Sequence, residues 1–249
     1  CDAAALFARK EEVTAKLRGG VEEMLKRAKV DVLCGHGRIA APGKVEATSE
    51  EGTEVCEAKN ILIATGSAPA RIPVPGADLP GVLTSDDLLA GVVPKSLTIV
   101  GGGVMLPKIL PNMDKEISQN LTQILKRRGI AVNAGAALKE ITQSEEGLTC
   151  HYEQKGKVLS VTSEKVLIAT GRRANLAGLF AEDLGVEVNR GIVVNECFET
   201  SVPGIYAIGD AVAGNIQLAH VATAQAKAVV AYLAGQTPKV RLDLVPSCI

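Results

Sequence analysis

The sequence predicts an α/β fold built from two related units, each a central parallel sheet joined to a β-meander. Three observations carry this reading. The phrases "NILIATGSAPA" (60–70) and "KVLIATGRRAN" (165–175) are nearly the same, and each closes a run of short strands. Apolar strands end in glycine at Ala64-Thr65-Gly66, Gly101-Gly102-Gly103, Ala169-Thr170-Gly171 and Gly209. The interior is to be filled by small and branched residues: apolar residues make up 47% of the chain, aromatics only 2%, and there is no Trp, which suits a buried parallel sheet.

The elements follow in order. Residues 6–28 read as a helix, with Val13, Leu17, Val21, Met24, Leu25 and Ala28 recurring at three- and four-residue steps. Gly19-Gly20 is expected to kink or divide it. "VDVLCG" (30–35), "GKVEATS" (43–49) and "TEVCEAKN" (53–60) predict a first meander leading into the strand of "ILIATGSAP". "IPVPG" (72–76) is an extended connector. Ser85-Asp86-Asp87 starts a short helix that Gly91 and Pro94 end. "SLTIVGGG" opens a new strand. Asp114–Arg128 predicts a helix with an apolar stripe of Ile117, Leu121, Ile124 and Leu125, acids in its first turn, bases in its last, and Gly129 as its stop. "LKEITQS", "LTCHYEQ" and "KVLSVTS" predict the second meander. "GIYAIGDA" (204–211) is a last buried strand, and "LAHVATAQAKAVVAYLAG" (218–235) an Ala-rich helix.

Charge and cysteines narrow the function classes. The formal net charge of −1 gives no electrostatic footprint for nucleic acid or an anionic membrane. No apolar run reaches the roughly 18 residues of a membrane span. The six cysteines form no CxxC pair and read as buried, reduced thiols of a cytoplasmic protein. His36 has no ligand-spaced partner, and no metal site is expected.

The chemistry sits at the strand ends. In doubly wound sheets, nucleotides bind at the carboxyl edge, where small residues let a ligand approach the backbone. The Ala-Thr-Gly phrases meet that need, as would two tight turns with no ligand. Asp210 presents a carboxylate at the end of its strand; it accepts hydrogen bonds, as a sugar or ribityl hydroxyl requires, or it caps a helix. The Ala-rich helix brings its partial positive N-terminus to the same region. His220 there reads either as a packing and capping residue or as an acid–base group. The GGG turn should lead into a helix and then a strand ending in an acid. Instead, "MLPKILP" follows, and Pro107 and Pro111 cannot both sit within a regular helix.

As an ordered set, "IATGS", "PVPG", "SLTIVGGGV", "ILPNMDKEI", "LIATGRR" and "ETSVPGIYAIGDA…LAH" resemble the pyridine nucleotide–disulfide oxidoreductases along essentially the whole chain. The phrase "MLPKILPNMDKEI" and the "AHVATAQ" helix point to the branch that oxidises a lipoamide dithiol. The resemblance implies two Rossmann-like dinucleotide-binding domains. FAD would touch Gly37, Thr65, Gly66, Gly209, Asp210, Ala219 and His220. NAD would dock at Gly101, Gly102, Gly103 and Val104 and near Gly171 and Arg172. It divides the chain into a flavin domain at 1–87 and 173–241, a nicotinamide domain at 88–172, and the start of an interface domain at 242–249. It implies electron transfer between a dithiol or disulfide and NAD through FAD, with an NADH oxidase, a mercuric or glutathione reductase type, or a non-catalytic nucleotide-binding remnant as alternatives. It implies a homodimer formed through the interface domain, and the acyltransferase core of a 2-oxoacid dehydrogenase complex as partner. The family's first GxGxxG, its CxxxxC redox pair and its C-terminal His-Glu pair have no counterpart among these 249 residues, so no catalytic residue is named. A helix and strand expected after GGGV are also missing, which predicts that roughly 20 or more residues are absent between Val104 and Met105.

Overall fold

The computed structural model describes residues 2–101, 109–110 and 113–246. They fall into two compact units, Cys1–Ala8 with Pro69–Arg172 and Arg9–Ala68 with Arg173–Ile249. The predicted break between Val104 and Met105 lies outside the described residues.

In the first unit, strands β6 (Val82–Leu83), β7 (Leu97–Gly101) and β11 (Lys165–Ala169) form a parallel sheet in the order β6-β11-β7. Pairing runs from Lys165 opposite Leu97 to Ala169 opposite Gly101, so two strands end together in small residues. Val166, Leu167 and Ile168 are all buried, as a central parallel strand requires. The meander is β8 (Ala137–Ser144), β9 (Gly147–Gln154) and β10 (Lys157–Ser163), antiparallel throughout. Ile141, Leu148 and Cys150 pack against Val166 and Ile168 to make this unit's core. The Pro-rich connector lies on β8, where the Ile141 amide donates to the Pro75 carbonyl at 2.9 Å. Helix α2 (Ser85–Leu89) has Thr84 as N-cap and a reciprocal capping box with Asp87.

In the second unit, β1 (His36–Ala41), β2 (Lys44–Ser49) and β3 (Gly52–Glu57) form the first meander. Strand β4 (Ile61–Ile63) pairs in parallel with β13 (Ile205–Ala207), residue for residue from Ile61 opposite Ile205 to Ile63 opposite Ala207. Ile39, Ile61, Ile63, Ile192, Ile205 and Ala207 form the core beside this pair. Helix α4 (Ala219–Leu233) covers a second cluster, in which Ala228 and Val229 meet Phe198 and Ile208.

Four expectations need correction. "VDVLCG" is not a strand: β2 ends at Ser49 and pairs with His36 through Thr48, so residues 30–34 have no ladder partner. Helix α1 (Ala3–Arg27) runs through Gly19-Gly20 without interruption, and none of its residues is buried. Leu17 and Met24 of its expected apolar face are 67% and 64% exposed. The stripe of helix α3 (Lys115–Arg127) also faces outward in part, with Ile117 and Ile124 exposed and Ser118 buried. Of the four described cysteines, all free thiols, Cys150 is buried whereas Cys34 and Cys197 are exposed, because they lie in loops rather than on core-facing strand positions.

Candidate dinucleotide sites

The β4–β13 pair builds the better-formed site. The Ile208 amide donates to the Ile63 carbonyl at 3.0 Å, extending the ladder one step beyond the strands. Both chains then turn away. Gly66 has φ +68°, and a Cβ placed on it would meet no atom within 4 Å, so this turn opens onto free space. Gly209 has φ +67° and is buried; a Cβ there would come within 2.9 Å of the Ala222 Cβ. Glycine is needed at 209 both for the left-handed backbone and for close contact with α4.

Asp210 follows on a single 3-10 turn, Gly209–Ala211, and is half-buried. Ser67 Oγ, just past Gly66, donates to Asp210 Oδ2 at 2.6 Å. The ends of two strands some 140 residues apart in sequence are thereby joined through a side-chain hydrogen bond. Thr65 is exposed on the same turn. Helix α4 opens beyond Asp210 with Leu218 as N-cap and no side-chain capping bond, and Ala219 and His220 are exposed at its start. The His220 ring donates from Nε2 to the Pro246 carbonyl at 2.9 Å, the contact of a packing residue. Gly37 lies on β1 opposite Ala47, exposed and with open space over its Cα. The Ser67 bond brings the Gly66 turn and Asp210 together, and Gly37 stands on the meander.

Sequence reasoning missed Ser67, Asn215 and Gln225 here. Ser67 had a signal, since it extends the first Ala-Thr-Gly phrase. Gln225 had little, being a polar residue inside an Ala-rich helix, yet it is 6% exposed and bonded to the Gly209 amide.

The first unit repeats the plan. A side chain at Gly101 would overlap the Ala169 carbonyl, so β7 and β11 approach too closely there for any other residue. Gly171, at φ +119°, is exposed with nothing within 4 Å of a Cβ. Thr170 Oγ1, just before Gly171, is buried without a hydrogen-bond partner among the described residues. An orphaned hydroxyl is costly to bury and calls for a partner. Arg172 is exposed beside it. Gly102, Gly103 and Val104 lie outside the described residues.

Both strand-end turns fit a dinucleotide. The second unit offers an open glycine turn and an oriented carboxylate for hydroxyl groups; the first offers an open glycine and a hydroxyl donor unpaired among the described residues. Among the described residues, no group of three or more His, Cys, Asp or Glu side chains could hold a metal ion, and no helix is long and apolar enough to cross a membrane.

Parallel strands ending in glycine turns define a protein of the dinucleotide-binding α/β class. Comparison with known proteins narrows this. The model of the family "pyridine nucleotide-disulphide oxidoreductase" matches residues 2–105 and 104–226, and the chain belongs to that family. Members of the family use FAD and NAD. The chain is 35% identical over 276 residues to a dihydrolipoyl dehydrogenase of Bacillus subtilis, covering 97% of this chain and 58% of the relative. It is 36% identical over 243 residues to the dihydrolipoyl dehydrogenase of Acholeplasma laidlawii, covering 87% of this chain and 69% of that one. Among solved structures, the HOCl-induced flavoprotein disulfide reductase RclA from Escherichia coli matches with a TM-score of 0.81 and 25% identity, over 94% of this chain and 57% of that one. The chain thus spans 58% of the length of the Bacillus relative. The 276 aligned residues also exceed the 249 of this chain, so part of the relative within the matched span faces no residue here.

Proposed function

We propose that the protein carrying this chain is a flavin-dependent oxidoreductase that passes electrons between dihydrolipoamide and NAD. The reading rests on one observation above all: the Ser67–Asp210 hydrogen bond, which joins two glycine-ended parallel strands into a single polar cradle. In this reading, FAD lies in the second unit, against Thr65, Gly66, Gly209, Asp210, Ala219, His220 and, on the meander, Gly37. NAD lies in the first, at Gly101, Gly171 and Arg172, with Gly102, Gly103 and Val104 completing the turn. The domain limits 1–87, 88–172, 173–241 and 242–249 belong to the same reading. So do a homodimer, the acyltransferase core of a 2-oxoacid dehydrogenase complex as partner, and a cytoplasmic setting.

When bound, the flavin relays two electrons between the thiol and nicotinamide couples. The overall reaction balances: the dithiol loses two electrons and two protons to become a disulfide, NAD takes a hydride, and one proton is released. The residues of this chain bind and orient. Asp210 accepts hydrogen bonds from hydroxyls of the ligand, with Ser67 holding its other side. Gly66 and Gly171 keep space clear for close backbone approach. The α4 N-terminus favours developing negative charge nearby. The thiol and acid–base steps are assigned to no residue here.

The test is the visible spectrum of the purified protein under anaerobic conditions. Flavin bands bleached by dihydrolipoamide, with NADH formed on adding NAD, support the reading. A flavin bleached by NADH but indifferent to dihydrolipoamide points to a related oxidase or reductase. A colourless protein that takes up neither FAD nor NAD rejects it in favour of a non-catalytic role.

A further inference from the structure

We propose that Gln225 and Asn215 form a hydrogen-bonded latch that positions Asp210 for its ligand; the inference rests on the flavin reading above. The strand ladder ends at Ile208, so the peptide groups of Gly209 must find partners elsewhere. The Val212 amide donates to the Gly209 carbonyl at 3.1 Å within the 3-10 turn, and two side chains from farther along the chain supply the remaining bonds. Gln225 Oε1 accepts from the Gly209 amide at 2.7 Å, and Asn215 Nδ2 donates to the Gly209 carbonyl at 2.7 Å. The two amides also bond to each other: Asn215 Nδ2 donates to Gln225 Oε1 at 3.2 Å, and Gln225 Nε2 donates to Asn215 Oδ1 at 3.0 Å. The ring is closed, and Gln225 sits within it at 6% exposure.

Its location gives the ring its role. Gly209 directly precedes Asp210, so rotation of the Gly209 peptide would swing the carboxylate away from Ser67. Gln225 stands near the middle of α4, and its bond to the Gly209 amide ties that part of the helix to the turn. A carboxamide pair can do this because each member both donates and accepts while adding no charge beside Asp210. A closed hydrogen-bonded network of this kind, with Gln225 buried in it, rigidifies the groups it joins. Preorganisation of the carboxylate lowers the ordering cost when a hydroxyl-bearing ligand binds. Gln225 and Asn215 are therefore positioning residues, acting through Gly209 and Asp210.

FAD titration of the flavin-stripped protein, followed by flavin fluorescence, tests this with wild type, Gln225→Met and Gln225→Glu. Met keeps the volume but neither donates nor accepts; its FAD affinity is expected to fall about tenfold or more while far-UV circular dichroism is unchanged. Glu reproduces the Gln pattern only when protonated, with one oxygen accepting from Gly209 and the other donating to Asn215 Oδ1. Burial raises a carboxyl pKa, so the Glu variant is expected within about threefold of wild type near about pH 6 and about tenfold weaker near about pH 8. Asp210, His220, Lys227 and Tyr232, the ionisable groups of the same turn and helix, are common to all three proteins, so the Glu variant is read as its difference from wild type at each pH. A role in packing alone produces no such slope. Equal affinity for wild type and a folded Gln225→Met overturns the latch and leaves the flavin reading standing. Should Gln225→Met fail to fold, the Glu variant decides, and a profile parallel to wild type overturns the latch. Absence of saturable FAD binding by wild type overturns both.

Discussion

Asp210 shows how little a residue needs around it to declare a role. Its carboxylate sits half-buried at a strand end and takes a 2.6 Å hydrogen bond from Ser67. Hydrogen bonds to a charged group are worth about 1.5–3 kcal/mol, so Asp210→Ala is expected to weaken FAD binding by about tenfold or more. Thermal melting should move little in the flavin-free protein, and equilibrium dialysis beside a melting curve separates the two effects. Cys150 carries a different expectation. Burial pushes its thiol from the ordinary 9.0 up to about 11. The folded protein then holds a proton that the unfolded chain releases, so this stability is complete below about pH 9 and is lost as pH rises toward about 11. Urea unfolding near those two pH values should show a steeper alkaline loss for wild type than for Cys150→Ala. Exposed Cys34 and Cys197 should react with a thiol reagent in the native state while Cys150 does not. The Asp210 position was legible in the sequence because a polar residue ending an apolar strand stands out. Gln225 was not, because burial inside a helix of alanines leaves no periodic trace, and Thr170 declared itself only through the missing partner of its hydroxyl.

The elements divide by what supports them. Strands with alternating or fully apolar faces were readable: β9 buries Leu148 and Cys150 on one side, and β11 buries three residues in a row. Helices α1 and α3 were readable as helices, since their propensity is local. The faces they bury were not, because burial depends on a neighbour that the helix sequence does not encode. The segment before His36 has strand-like composition but lacks a partner once β2 ends. Two substitutions test the elements. Gly101→Ala would drive a methyl into the Ala169 carbonyl, so the β7–β11 pair must separate; a loss of about 2 kcal/mol or more is expected in chemical denaturation. Thr84→Ala removes the cap of α2 and the partner that holds the Asp87 carboxyl below its usual range. About 1 kcal/mol should be lost locally, visible as faster amide exchange over Ser85–Leu89.

At the scale of the whole molecule, the repeated Ala-Thr-Gly phrase foretold two units of one plan, and each has its own parallel strands, meander and core. Val166→Ala and Ile205→Ala each remove apolar volume from a fully buried position, one in each core. Val166→Ala is expected to cost about 2 kcal/mol for the two carbons lost and Ile205→Ala about 2–5 kcal/mol, with amide protection falling mainly in the unit that carries the change. Neighbouring strands within a unit need not be neighbours in the chain. Ile61 pairs with Ile205, and the whole of Pro69–Arg172 is synthesised between them. At about 5–20 residues per second, a ribosome takes roughly 7–30 s to cover that distance. For that interval the nascent β4 lacks its β13 partner, whereas β6, β7 and β11 are all made before β13. Birth order therefore favours strand pairing in the intervening segment before β4 and β13 can join.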